Sequence, residues 1–241
     1  ERFQVRNHDR SVGAALAGEI ARRFGREGFP GEEGLRLRFF GSAGQSFGAW
    51  NTHGMHLKLT GDANDYVGKG MSGGSIAIEP HSDAPIVPKR SAIIGNTCLY
   101  GATGGALFAE GQAGERFAVR NSGATAVVEG VGMHGCEYMT NGEVLILGGT
   151  GSNFAAGMTG GVADVLDLDE RLRQRVNRQS VSVQDVDTGE GSDDLAAIRA
   201  LLERHVQLTD SAWGQRLLEG FEHFMFYFRV VRPKVDKEAM K

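Results

Sequence analysis

Glycine returns along this chain at a nearly constant interval, and each return opens a short apolar run. The blocks FGAWNTHG, VGKGMSGG, CLYGATGG, GCEYMTNG and FAAGMTGG end at Gly54, Gly74, Gly105, Gly142 and Gly161, and a looser FAVRNSG ends at Gly123. Gly34 precedes a run of the same kind, LRLRFF. After the others come MHLKL, SIAIE, ALFAE, ATAVVE, EVLIL and VADVL. Alternation with a period of two, bounded by glycine, is a strand signal. The glycine spacings are 20, 20, 31, 18, 19 and 19 residues. A strand–helix–strand crossover needs about 30 residues, so a period near 20 excludes it. It suits a solenoid in which every coil adds one strand to a parallel sheet.

The expected fold is therefore mainly β: a right-handed parallel β-helix of about seven coils. The hand follows from the bias of parallel crossovers. The long interval between Gly74 and Gly105 reads as one period plus an insertion at Pro80 to Arg90, which contains Pro80, Pro85 and Pro88. Residues 1–33 are a lead-in and capping helix, 34–167 the repeats, and 168–241 a linker and helical tail. Glycine occurs 36 times in 241 residues against 5 prolines. That is about twice the average share of about 7%. With no G-X-Y period, turns that need positive φ are its natural use.

Both ends of a solenoid need covers. In DRSVGAALAGEIARRFG, Val12, Leu16, Ile20 and Phe24 recur at helical spacing, with Asp9 or Ser11 to cap the start and Gly25 to stop it. VSVQDV is a short strand, and TGEGSDD a linker that supplies a helix cap. DDLAAIRALLERHVQLT reads as one helix, with Leu195, Ile198, Leu201 and Leu202 on one face. TDSAWGQRLLEGFEHFMFYF reads as another, with Trp213, Leu217, Phe221 and Phe224 in a stripe and Pro233 beyond it. These helices are expected to cover the last coil or to dock on a partner. The tail KVDKEAMK is expected to be loose.

Candidates for chemistry are few. GKGMSG, Gly68 to Gly73, spells a dinucleotide-binding turn, but GVGMHG, Gly130 to Gly135, spells it again, and turn residues and a strand follow both. Coil corners explain both better than a nucleotide. His53 and His56 lie three apart near a corner, and His134 sits at another. Hydrogen bonding of a corner histidine to backbone is preferred over a metal. DANDY, Asp62 to Tyr66, offers oxygen ligands, but Asx-type turn capping is the simpler use. Cys136, two residues from His134, lacks an oxyanion device or acid partner and is expected to be a small buried residue. Arg116, Arg120 and Asn121 are expected to pair with acids such as Glu115, Glu129 and Glu137. No catalytic, cofactor-binding or metal-ligating residue is assigned. The named positions are the structural corners Gly54, Gly74, Gly105, Gly123, Gly142 and Gly161.

A net charge of −4 gives no reason to expect nucleic acid or an anionic membrane. Two well-separated cysteines, Cys98 and Cys136, with no C-x-x-C, suit a reducing cytoplasm and make a zinc or iron–sulfur site within this chain unexpected. The chain begins with Glu1, which suggests processing or excision from something longer.

GSAGQSFGAW, GDANDYVGKGMSGG, IIGNTCLYGATGG, GERFAVRNSGATAVVEGVGMHGCEYMTNG and TGSNFAAGMTGG together resemble the C-terminal, GXGXG-type β-helix domain of the glutamate synthase large chain. NHDRSVGAALAGEIARRFG resembles the lead-in to that domain and HVQLTDS its end; Met133 departs from the acidic residue usual there. The resemblance implies a structural domain without activity of its own. Its parent is a flavoenzyme that moves the amide nitrogen of glutamine onto 2-oxoglutarate, with reducing equivalents, to yield glutamate. In that parent FMN, a 3Fe-4S cluster and a reductant (NADPH or ferredoxin) act in other parts, and ammonia passes internally. Implied partners are the amidotransferase and synthase domains of the same chain and a small reductase subunit. The alternative is a stand-alone β-helix subunit of a related redox complex, either a glutamate-synthase-like methylamine enzyme or formylmethanofuran dehydrogenase.

Overall fold

A computed structural model describes residues 2–84, 91–189 and 191–234. Seven parallel strands form the main wall of a solenoid: β2 (Leu35–Ala43), β3 (Met55–Ala63), β4 (Ser72–Glu79), β6 (Gly104–Ala109), β8 (Ser122–Val128), β9 (Asn141–Ile146) and β10 (Val162–Leu166). About six full turns separate the first of these from the last. Register gives the period directly: Leu35 pairs with Met55, His56 with Ser75, Ala106 with Thr125 and Val162 with Glu143. The long turn joins Ser75 to Ala106. The expected insertion begins at Pro80 within it, and residues 85–90 lie outside the described residues.

A narrower second wall carries β5 (Ala92–Ile94) and β7 (Gln112–Ala113), where Ala63, Ile94, Ala113 and Val131 pair in succession. The third wall is a tape of alternating conformation. In every coil three residues spaced two apart have positive φ: Ser46, Gly48 and Trp50, then Tyr66, Gly68 and Gly70, then Thr97, Leu99 and Gly101. Arg116, Ala118 and Arg120, His134, Cys136 and Tyr138, and Asn153, Ala155 and Gly157 continue it. Their amides point alternately forward and back. Tyr66 N–H donates to the Asn96 carbonyl of the next coil, Gly68 N–H to Phe47 of the preceding one, and Gly70 N–H to Tyr100 of the next. The same pattern holds from Ser11 to Ala155, so residues 10–13 form a truncated first coil.

Side chains from all three walls fill the tube. Leu57, Ile76, Leu107, Ala126 and Val144 form one buried column, and Leu59, Ile78, Ala109, Val128 and Ile146 another. The tape contributes Phe47, Val67, Cys98, Phe117 and Phe154. Gly135 occupies the level between the last two, where a Cβ would meet the Phe154 ring at 3.0 Å. Burying a side chain of this size contributes about 1.5–3 kcal/mol.

The lead-in differs from expectation in two ways. A strand, β1 (Arg2–Val5), precedes the helix and pairs with β2, extending the sheet by one. Helix α1 (Ala14–Phe24) starts at Gly13 in the left-handed region with no side-chain cap, so neither Asp9 nor Ser11 caps it. Asp9 instead accepts the Arg6 N–H, and Ser11 is held in the tape. Gly25 ends the helix, and Ala17 and Ile20 seal the first coil.

The C-terminal part departs further. Helix α2 (Leu172–Arg175) and β11 (Val181–Asp185) follow the repeats, and α3 (Asp193–Thr209) begins where Ser192 caps the Leu195 N–H. The second expected helix is split. Gly220 separates α4 (Ala212–Glu219) from α5 (Phe221–Phe224), and a 3-10 turn leads into a strand, β12 (Phe228–Pro233). β12 inserts antiparallel between β10 and β11 and ends the parallel run. Leu172, Val176 and Val181 close the core there. The helices do not cap the last coil. They lie along the outer face of the main wall, where Ile198, Leu202, Leu217 and Phe221 cover Phe108, Val127, Leu145 and Leu147. The tail after residue 234 lies outside the described residues.

Two glycine substitutions should separate coil contact from helix propensity. A Cβ on Gly61 would strike the Gly41 carbonyl oxygen of the neighbouring coil, whereas Gly18, exposed in α1, has nothing within 4 Å. Gly61→Ala should cost about 3 kcal/mol or more, and Gly18→Ala should stabilise by about 1 kcal/mol, read from urea-denaturation midpoints.

Candidate functional site

The residues singled out in the sequence serve the stack. The amides of Gly68 and Gly70, which a phosphate would need, are already given to carbonyls of adjacent coils. Gly54, Gly74, Gly105, Gly142 and Gly161 have positive φ. Gly123 does not, and its Cβ would instead meet the Thr103 carbonyl. All six lie at strand starts. At Gly74 a Cβ would come within 2.5 Å of the Thr52 oxygen. Two further recurrent glycine positions went unread: one at strand ends, with Gly41, Gly61, Gly111, Gly130 and Gly148, and one just before the tape, with Gly44, Gly95, Gly114, Gly132 and Gly151.

His56 Nδ1 lies 2.8 Å from Ser75 Oγ, and His53 is exposed, its carbonyl accepting the Phe29 N–H. His134 pairs with Glu137 at 2.7 Å rather than with Cys136. Burial pushes the thiols of Cys136 and Cys98 up to about 12, so neither is a nucleophile at neutral pH. In DANDY, Asp62 accepts from Ser42, Asn64 caps the Asp65 N–H, and Asp65 accepts the Asn96 N–H of the next coil. The pairing proposed for the arginines is not found. Arg120 reaches the Tyr100 hydroxyl at 3.3 Å, and among the described residues neither Arg116 nor Arg120 forms an ion pair. Asn121 is buried and holds the backbone of Gly123 and Ala124, and Glu137 belongs to His134 and Asn153.

One polar constellation is buried. Glu79, Glu110 and Glu129 each stand one residue past the stacked Ile78, Ala109 and Val128, so three carboxyls line adjacent coils. The sequence carried this signal, since SIAIE, ALFAE and ATAVVE all end in Glu. Glu129 lies beneath the helices with His205 of α3 and Ser211, the N-cap of α4, all three fully buried. Ser211 Oγ donates to Glu129 Oε1 at 2.5 Å and accepts the Gly214 N–H at 2.9 Å. His205 Nε2 lies 3.5 Å from the same carboxylate oxygen, and its ring stacks on Phe108. Ser, His and Glu are therefore together, but the serine is bonded to the acid, not to the imidazole, and water cannot reach it. The cluster fastens the α3–α4 turn to the sheet. Burial first, then the charge of Glu129, pushes the half-buried Glu110 up to about 7.

Asp164 is a second buried acid, on the outer face of β10. Burial, then Glu143 and Asp194, push it up to about 8 against the opposing effect of Arg232. Among the described residues no three His, Cys, Asp or Glu side chains are placed to hold a metal ion, and no helix is long and apolar enough to cross a membrane.

The family described as GXGXG motif matches residues 1–234. The chain is 51% identical over 237 residues to a ferredoxin-dependent glutamate synthase of Cyanidium caldarium, covering 98% of this chain and 15% of the relative. A glutamate synthase [NADH] of Schizosaccharomyces pombe is 48% identical over 238 residues, 99% of this chain and 11% of the relative. Ferredoxin-dependent glutamate synthase 1 of Arabidopsis thaliana is 49% identical over 236 residues, 98% of this chain and 14% of the relative. The chain thus spans about one ninth to one seventh of the length of these curated relatives.

Two measurements test the buried acids. Asp164 holds its proton more tightly folded than unfolded, so its contribution is whole below about pH 4 and is lost as pH rises toward 8. Asp164→Asn should flatten that loss and raise stability at pH 8 by a few kcal/mol at most, on the order of 1.4 kcal/mol per pKa unit. Ser211→Ala removes the donor to Glu129 and the α4 cap together and should cost about 2–3 kcal/mol at pH 7 in urea denaturation.

Proposed function

The chain belongs to the GXGXG motif family, and on that premise we propose that it is the C-terminal solenoid of a glutamate synthase large chain, bracing the parts that carry the chemistry. The observation that carries this reading is the continuous coil-to-coil hydrogen bonding on all three walls, from residue 11 to β10. A tube tied this way resists bending, because every hinge would break backbone bonds on more than one wall. The glutamate synthases it is similar to extend well beyond this segment. Two reactions that share a passed intermediate need fixed separation and orientation, since a displacement of 1 Å can cost about 100-fold in rate. The side chains here fit support rather than catalysis: thiols with raised pKa, a serine committed to a buried acid, and tape amides already bonded.

In this reading the FMN, the iron–sulfur cluster and the glutamine-hydrolysing nucleophile belong to other parts of the parent chain. The test is made there. Gly61→Ala in the full-length enzyme should leave ammonia-driven glutamate formation largely intact. It should lower the glutamate formed per glutamine hydrolysed several-fold, measured by paired assays. Equal losses in both assays would count against a bracing role. So would a coloured, glutamate-forming preparation of the 241 residues alone.

A further inference from the structure

The helical roof covers only part of the main wall. Helix α3 crosses β4, β6, β8 and β9, and β2 and β3 lie beyond it. Between them runs a groove of about 500 Å³. Its floor is small, with Ser75 and Ala77. Arg36 and Arg38 on β2, and His56 and Lys58 on β3, form one side, and Arg204 of α3 forms the other. These strand residues alternate outward with a period of two, so their charges gather on one face.

Little in the protein neutralises them. Lys58 pairs with Glu79 at 2.7 Å. Arg36 donates to the Glu33 carbonyl, and Arg204 lies over the Phe108 ring at 5.0 Å. Among the described residues Arg36, Arg38 and Arg204 form no ion pair with a carboxylate. The imidazole of His56 is held below its usual range by burial and by Arg36 and Arg204, so the local field is positive although the chain carries −4. Arg36 and Arg38 are two residues apart on one strand, which places their Cα atoms about 6.6 Å apart. Arg204 stands across the groove. That spread exceeds one tetrahedral anion but suits carboxylates spaced along a polypeptide. A nucleic-acid backbone suits it less, because Glu79, Glu110 and Asp210 border the next opening along the same face.

We propose that this groove seats an acidic polypeptide segment, lying beside α3 and continuing the roof over β2 and β3, with carboxylates on Arg36, Arg38 and Arg204. Its source is the parent chain outside these 241 residues. That part of the proposal rests on the bracing reading above, while the chemistry of the groove does not.

Two experiments separate the parts. With the 241-residue chain, a fluorescein-labelled twelve-residue peptide of alternating Glu and Ala should bind at low salt by anisotropy. Arg38→Glu with Arg204→Glu should weaken it at least tenfold, and Arg38→Gln with Arg204→Gln should weaken it less. The same charge reversal at Arg10 and Arg26, both exposed on the lead-in, should leave it within twofold. Circular dichroism checks that each variant folds. Equal loss in both reversal sets, displacement by 10 mM inorganic phosphate, or tighter binding of a single-stranded oligonucleotide would overturn the assignment to an acidic peptide. In the full-length enzyme, Arg38→Lys places an amine in the groove for zero-length carbodiimide coupling. Mass spectrometry should find that amine and Lys58 joined to Asp or Glu outside this chain. Coupling from other faces but not from the groove would overturn the proposal and spare the bracing reading. Coupling from no face would sink the bracing reading itself.

Discussion

Backbone-to-backbone hydrogen bonding between successive coils is the constraint on which the rest depends. Each coil must satisfy its amides on its neighbours, so the coils must keep one spacing and one register. Glycine is needed wherever two coils touch through bare backbone. Gly41, Gly61 and Gly74 show why: a methyl group at any of them would lie against a carbonyl of the adjacent turn. A solenoid has little room to adjust one such contact, because shifting a coil shifts its bonds on all three walls.

The tape shows what that constraint costs. Left-handed backbone costs an L-residue about 1–2 kcal/mol. Yet Thr97, Leu99 and Cys136 adopt it, and so do Trp50 and Tyr138, which are themselves exposed. Among the described residues, all non-glycine residues with positive φ except Glu170 and Asp210 lie in the tape or its truncated first turn. The strain is held in place by the alternating bonds to both neighbours and by the buried columns behind them. The same arrangement removes the tape from chemistry. Its turns resemble anion-binding nests, but carbonyls of the preceding and following coils already occupy them.

The polar interior follows another logic. Glu129, His205 and Ser211 are buried where the helical roof meets the wall, and the unpaired Oε2 of Glu129 is costly there. Fixing the roof in one position is what the cluster offers in return. Where the roof stops, the wall turns basic, so the sheet changes from apolar and acidic to cationic along its length. The helical roof and the open basic strands thus divide the outer face between them.

The period, the parallel strands, the tube and the resemblance that led to the family were legible in the sequence, because stacking imposes a repeat that local pattern records directly. α3 was legible for a similar reason: its apolar positions and the Ser192 cap lie within one short stretch. The expected helix was carried through to Phe228 and no strand was read in the RVVRP that follows, since nothing local sets it apart from the aromatic stripe before it. It is a strand because β10 offers an unpaired edge, and that edge exists only once the coils have stacked. The glutamates at the strand ends were visible, but not that one of them meets His205 and Ser211, some 80 residues away. Sequence alone determined what repeats, because repetition is a short-range property. Tertiary structure decided which face is roofed, which acids are buried and which cations stay unanswered, because those depend on contacts between segments that share no local pattern.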